Sequence, residues 1–199
     1  PYFLARRVKC FVVNAGDGCH EHPTQALLDA FTLLEHFGTL EGKRVLIVGD
    51  IAHSRVARSN ILLFNKLGAQ VAVCGPPTLL PVGIEELGCE IFYRLDRILF
   101  EVDVVNMLRL QTERMTANMV PSQREYRRYY GLTRERLAKI NPETVIIHPG
   151  PVNWGWEMDY DIRELPRNLI MNQVKNGVAV RMAVFYLLAL GRGLLSEEA

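Results

Sequence analysis

Apolar residues follow two rhythms along this chain. Residues 43–50 hold a continuous run, Val45-Leu46-Ile47-Val48, with no polar alternation, and residues 70–76, 102–108 and 144–148 read as further strands. Runs of that length and kind predict strands buried on both faces of a parallel sheet. Between them the spacing changes to three and four. Val56, Ala57, Ile61, Leu62, Phe64 and Leu67 mark a helix over 54–67 that Gly68 ends, and a helix that follows His22 runs to Phe37 and stops at Gly38. A weak helix at 84–87 and a short strand at 90–93 complete the middle of the chain. Residues 169–190 read as a strong amphipathic helix, apolar enough to need a partner: the sheet, or a surface outside this chain. Near the start, Phe11-Val12-Val13 predicts a strand that runs into a glycine-rich loop at Gly16 and Gly18. Strands alternating with helices define an α/β fold, a doubly wound and mostly parallel sheet flanked by helices. No internal repeat interrupts it.

Open sheets of this kind bind ligands beyond the carboxyl ends of their strands. That rule selects residues 50–55, 109–111 and 148–153. They include Arg55, Arg109, Gln111 and the turn Pro149-Gly150-Pro151. Two guanidinium groups converging on one crevice suit a small dicarboxylate, because each can pair bidentately with a carboxylate. Taken singly, each Arg also fits an ordinary surface ion pair. His22 and Gln25 stand three residues apart at a helix start, on one face, and both can hydrogen-bond a carbonyl group. On their chemistry alone they equally fit a capping region with a surface His and Gln. The turn at 49–55 lacks the G-x-G-x-x-G spacing, which argues against a nicotinamide or ATP site.

Composition narrows the classes. The 199 residues are 49% hydrophobic and 23% charged, with a formal net charge of +1. That balance gives no electrostatic case for nucleic acid or an acidic membrane surface. No uninterrupted apolar run reaches the ~20 residues that span a bilayer. Cys10, Cys19, Cys74 and Cys89 form no C-x-x-C pair, as in a reduced, cytoplasmic protein with free thiols. Cys19 lies near His20 and His22, but no further ligands at metal-site spacing follow, so no metal is expected. Residues 111–143 are charged and loop-rich, which predicts an excursion over the site and a solvated helix. Its arginines, interspersed with glutamates and Tyr126, Tyr129 and Tyr130, read as a solvated face rather than a nucleic-acid patch.

The segments HPTQALLD (22–29), GDIAHSRVARS (49–59), LRLQTER (108–114), HPGPVN (148–153) and NQVKNGVAVR (172–181) occur in this order. Together they closely resemble the carbamoyltransferases, on the branch formed by aspartate carbamoyltransferase catalytic chains. The ornithine branch's Ser-Met-Gly loop and His-Cys-Leu-Pro stretch do not occur. The resemblance implies the aspartate/ornithine carbamoyltransferase fold, lacking most of the N-terminal carbamoyl-phosphate domain. It divides the chain into the end of that domain and a linking helix (1–37), an aspartate-binding domain (38–168) and a returning C-terminal helix (169–199). It further implies transfer of the carbamoyl group of carbamoyl phosphate to the α-amine of L-aspartate, giving N-carbamoyl-L-aspartate and phosphate in pyrimidine biosynthesis. By resemblance His22 polarises the carbamoyl oxygen and Gln25 contacts the same group. Arg55 and Arg109 hold the aspartate carboxylates, and Gln111 orients the amine. Pro149, Gly150 and Pro151 shape the pocket. No metal or organic cofactor is implied. A homotrimer with shared sites is implied, with regulatory or dihydroorotase subunits as further partners. The chain departs from the family pattern at Ala52 and Thr112, where Lys is usual, and at Trp154, where Arg is usual. The family's Ser-Thr-Arg-Thr-Arg phosphate motif does not occur. These departures, with Trp154 and Trp156 as a contact surface, suit an alternative role as a noncatalytic structural or partner-binding subunit. A reshaped pocket for another amino acid is a third reading.

Overall fold

The computed structural model describes residues 1–111, 120 and 122–194. Five short strands form one parallel sheet: β1 (Arg44–Val48), β2 (Gln70–Cys74), β3 (Cys89–Phe92), β4 (Val104–Met107) and β5 (Val145–Ile147). Their spatial order is β3-β2-β1-β4-β5. The chain therefore winds outward from β1 in one direction, then returns beside β1 and winds the other way. The switch falls between β1 and β4, where the two crossovers leave on opposite sides and open a crevice.

The central strands are continuous apolar runs because both sheet faces are covered. Val45, Ile47, Val71, Val73, Val104 and Ile147 pack on one side with α2 (Pro23–Phe37) and α3 (Arg55–Lys66). Leu46, Val48, Ala72, Val105, Met107 and Ile146 pack on the other with Leu95, Leu99, Leu132 and Ile162. Successive side chains alternate between two cores, as a pleated strand requires. Ser54 starts α3 by accepting a hydrogen bond from the Ala57 amide, and Leu67 closes it ahead of Gly68 in a left-handed turn (φ 81°).

Three elements differ from the pattern-based reading. Residues 11–13 are not a strand, since no strand of the described residues pairs with them, and the lead before them carries only the short helix α1 (Tyr2–Ala5). The helix α4 (Gln123–Tyr130) is not wholly solvated: Tyr126 is 1% exposed and packs with Leu79 and Leu110. Its neighbouring arginines are largely ion-paired, Arg127 with Asp159 at 2.7 Å and Arg136, on the short helix α5 (Arg134–Leu137), with Asp96 at 2.7 Å. Most of the excursion expected after Gln111, with Thr112, lies outside the described residues.

The C-terminal helix α6 (Ile170–Gly191) differs most. It packs chiefly on α2 rather than on the sheet, and it does so with its polar side. Gln173 and Asn176 are buried, and Asn176 donates to Thr32 Oγ1 (3.0 Å) and Glu35 Oε2 (2.5 Å) on α2. Met171, Val174, Val178, Met182 and Phe185 are 60–73% exposed and form the outer stripe. By length and composition α6 is long and apolar enough to cross a membrane, a property the run-length reading of the sequence did not register. Its inward amides, bonded to α2, tie it to this fold instead.

Candidate active site at the strand ends

Every candidate residue reaches one crevice. A cavity of about 190 Å³ is lined by His22, Gln25, Arg55, Arg109, Gln111 and the turn 149–151, with Ser54, Val56 and Leu108 between them. Four separate segments supply these side chains. Residues Ser54 and Arg55 follow β1, residues 108–111 follow β4, the Pro-Gly-Pro turn follows β5, and His22 and Gln25 come from the head of α2.

Local chemistry explains why each side chain is available. His22 occupies the N-cap position of α2 but makes no capping bond, and Pro23 has no amide hydrogen to satisfy. The His22 amide instead donates to Ser59 Oγ at 2.8 Å, while the Ser59 hydroxyl donates to Glu21. Upstream, the Glu21 amide donates to Asp17 Oδ1 (2.6 Å), and the Asp17 amide to the Glu21 carbonyl (3.0 Å). These bonds close the glycine loop against α3. Gly16 has φ 118°, and a β-carbon there would lie 2.6 Å from Arg55 Nε, so the loop backbone forms the surface behind that guanidinium. His20 turns away to Asp17 (3.3 Å), outside the crevice lining.

The imidazole of His22 is half-buried beside Arg55 and Arg181. Burial first, and then these two positive charges, push its pKa down to about 4. At neutral pH it is therefore an uncharged ring, able to donate one hydrogen bond. Its Nδ1 lies 3.4 Å from the Thr24 hydroxyl, a contact in which either group can donate. Gln25 is oriented by charge. Its NH₂ donates to Asp29 Oδ1 at 2.9 Å, which sets the amide flip and leaves its carbonyl oxygen as the acceptor. Gln111 reaches across to the loop after β1, donating to the His53 carbonyl at 3.2 Å.

Two buried carboxylates hold the crevice from beneath, and neither was singled out by sequence reasoning. Asp29 is fully buried and accepts from Gln25, Asn60 (2.8 Å) and Gln173 (2.6 Å). Burial pushes its pKa up to about 6, while the three amide donors pull the other way. Glu157, also fully buried, accepts from the Leu110 amide (2.8 Å), the Asn153 amide (2.6 Å) and Asn153 Nδ2 (2.7 Å). It ties the loop after β4 to the loop after β5. Asp29 lay within the helical motif and Glu157 four residues after Asn153, but an acid in an apolar setting was the one available signal.

The departures are placed as follows. Ala52 is partly buried, and its amide donates to the Leu79 carbonyl at 2.9 Å. Trp154 and Trp156 are partly buried against the interior rather than set out as a contact surface. Trp154 stacks on Tyr160 with Arg163 over its ring at 4.4 Å. None of these three residues lines the crevice. A wider groove of about 750 Å³, flanked by Arg124, Arg128, Lys139 and Asp96, shares no lining residue with it.

The two titrations have opposite signs in stability. The depressed His22 pKa adds stability above pH 6.5 that is lost as pH falls through about 4. The raised Asp29 pKa adds stability at low pH, lost as pH rises through about 6. A ¹³C or ¹⁵N NMR titration of the imidazoles is expected to show the His22 signals unmoved from pH 8 to about 5. A midpoint near 6.5 for His22 would mean that the ring is not enclosed as described.

A crevice at the switch point, with two arginines, a neutral His and two oriented amides, has the chemistry to suit small anions. The sequence profile of the aspartate/ornithine carbamoyltransferase Asp/Orn binding domain matches residues 41–188, and that of the carbamoyl-P binding domain matches residues 2–35. The chain belongs to the aspartate/ornithine carbamoyltransferase family. It is 54% identical over 197 residues to the aspartate carbamoyltransferase catalytic subunit of Gemmatimonas aurantiaca, covering 99% of this chain and 62% of that protein. With the same subunit from Gluconacetobacter diazotrophicus it shares 56% identity, over 95% of this chain and 59% of the relative. The chain thus spans about three-fifths of the length of the relatives it matches. Among solved structures, the aspartate transcarbamoylase of Trypanosoma cruzi in complex with phosphate superposes with a TM-score of 0.81 at 25% identity, covering 93% of this chain and 62% of that one. The ornithine carbamoyltransferase of Thermus thermophilus does so with 0.81 at 26% identity, covering 94% and 62%.

Proposed function

We propose that this chain supplies the amino-acid-binding part of an aspartate carbamoyltransferase that transfers the carbamoyl group of carbamoyl phosphate to L-aspartate. The observation that carries the reading is the single crevice that unites His22, Gln25, Arg55, Arg109, Gln111 and the 149–151 turn. In this reading Arg55 and Arg109 pair with the two carboxylates of aspartate, which fixes the amino group toward the carbamoyl carbon. Gln111 orients that amine. The Gln25 carbonyl oxygen accepts from the carbamoyl NH₂, and the 149–151 turn closes the same side. Neutral His22 donates to the carbamoyl oxygen. As the amine lone pair adds to the carbon, the C=O electrons move to an oxyanion that this donor stabilises. An amine proton passes to the departing phosphate, which leaves with the electrons of the C–O bond as the oxyanion collapses and the carbonyl is restored.

The chain covers three-fifths of its relatives, so the phosphate-binding groups are assigned to the portion outside it, and the outer stripe of α6 to contact with that portion. A homotrimer with shared sites, a cytoplasmic location and attachment to regulatory or dihydroorotase subunits belong to the same reading. Its test is the purified full-length protein incubated with carbamoyl phosphate and either L-aspartate or L-ornithine. N-carbamoyl-L-aspartate is the expected product. Product from ornithine alone, or from neither acceptor, would overturn the assignment.

A further inference from the structure

Beneath the crevice, two of its walls are joined by a single buried hydrogen-bonded path. Gln25 donates to Asp29 Oδ1, and Gln173 Nε2 donates to the same oxygen at 2.6 Å. The other end of the Gln173 amide, Oε1, accepts from the His148 amide at 2.9 Å. His148 Nδ1 then accepts from the Gly150 amide at 2.8 Å. Asp29, Gln173 and His148 are each at most 3% exposed. The path therefore runs from a crevice residue on α2, through α6, to the middle of the Pro-Gly-Pro turn.

We propose that Gln173, which lies outside the crevice, is a positioning residue that sets the 149–151 turn against Gln25; its catalytic consequence rests on the crevice being the carbamoyl-transfer site. Only a side chain carrying both a donor and an acceptor can hold Asp29 and the His148 amide at once, and Asn would be one methylene short of both. The hydrogen-bond pattern also fixes the His148 ring. Its Nδ1 accepts, so its hydrogen is on Nε2, which faces Glu157 Oε2 at 3.8 Å. Glu157 in turn holds the Leu110 amide, between Arg109 and Gln111. The placement of Gln173 on α6 explains why that helix turns a polar side inward.

The test is site-resolved amide hydrogen exchange in the full-length protein, comparing wild type with Gln173→Leu and Gln173→Glu. The Leu variant has neither a donor nor an acceptor. It is expected to speed exchange at His148 and Gly150 by about tenfold or more while β1 amides keep their protection. The Glu variant keeps the acceptor, so His148 stays protected, but it sets a carboxyl in place of the NH₂ against Asp29, and the Gln25 side-chain NH₂ signals shift. Unchanged exchange at His148 and Gly150 in the Leu variant overturns the proposal, as does an equal rise across β1 and the turn. Should the Leu variant not fold, the Glu variant decides: Gln25 NH₂ signals identical to wild type overturn it. None of these readouts needs turnover, so they stand apart from the outcome of the carbamoyl-transfer assay. Where transfer is observed, the Leu variant is expected to lose about 10- to 100-fold in kcat/KM. The same loss in the Glu variant with its turn still protected would then locate the effect at Asp29.

Discussion

Replacing Glu157 with Ala is expected to bring the fold close to its unfolding threshold. The buried carboxylate satisfies three donors, the buried amide of Leu110 and the part-buried amide and side-chain NH₂ of Asn153. An Ala side chain leaves all three without this partner, the Leu110 amide in a region closed to solvent. At roughly 1–3 kcal/mol for the buried donor and about 0.5–1.5 kcal/mol for each part-buried one, the loss is about 2–6 kcal/mol. That is comparable to the lower end of the ~5–15 kcal/mol that holds a domain together. A urea unfolding curve is the measurement, with a midpoint shift at unchanged slope as the expected form. Glu157→Gln is expected to lose less, because one oxygen remains while its NH₂ meets donors where an acceptor is needed. A stability within about 0.5 kcal/mol of wild type for the Ala variant would mean that water replaces the carboxylate at no cost.

The strands were legible because burial on both faces leaves no alternation to misread, and α3 because Ser54 and Gly68 bracket a clean period. The strand-end rule then located Arg55, Arg109, Gln111 and the Pro-Gly-Pro turn, since in a doubly wound sheet the chain order fixes which ends face the crevice. What failed has physical causes. Phe11-Val12-Val13 has the composition of a strand, but a strand exists only by pairing, and no described strand offers an edge there. On α6 the apolar stripe read as a face needing a partner lies exposed. The inward side was not legible, because Gln173 and Asn176 look like solvent-facing residues until Asp29, Thr32 and Glu35 are known to lie opposite. Tyr126 among arginines looked solvated for the same reason. Asp29 and Glu157 were missed because a buried acid is identified by its donors, and those donors lie 31 to 144 positions away for Asp29, on Asn60 and Gln173.

The largest effect on ligand binding is expected at Arg109. In the proposed site its guanidinium and that of Arg55 each take one carboxylate of the acceptor, from the ends of adjacent strands β4 and β1. Succinate carries both carboxylates and no amine, so it reads the pair without reaction. Hydrogen bonds to charged groups are worth about 1.5–3 kcal/mol each, and a bidentate pair makes two. Arg109→Leu is thus expected to weaken succinate binding to the full-length protein by on the order of 100- to 10,000-fold, measured by calorimetry with carbamoyl phosphate or phosphate present. Arg109→Lys keeps the charge but loses the planar fork, so an intermediate loss of about tenfold is expected. The order Arg, Lys, Leu distinguishes paired recognition from a diffuse positive field, in which Lys would equal Arg. Arg55 provides the internal control. Its guanidinium lies against the Gly16 backbone, so Gly16→Ala should displace it and weaken succinate binding while leaving Arg109 in place. If neither arginine matters to a dicarboxylate, the crevice binds something else, and the assignment of the acceptor would have to be abandoned even with the family membership intact.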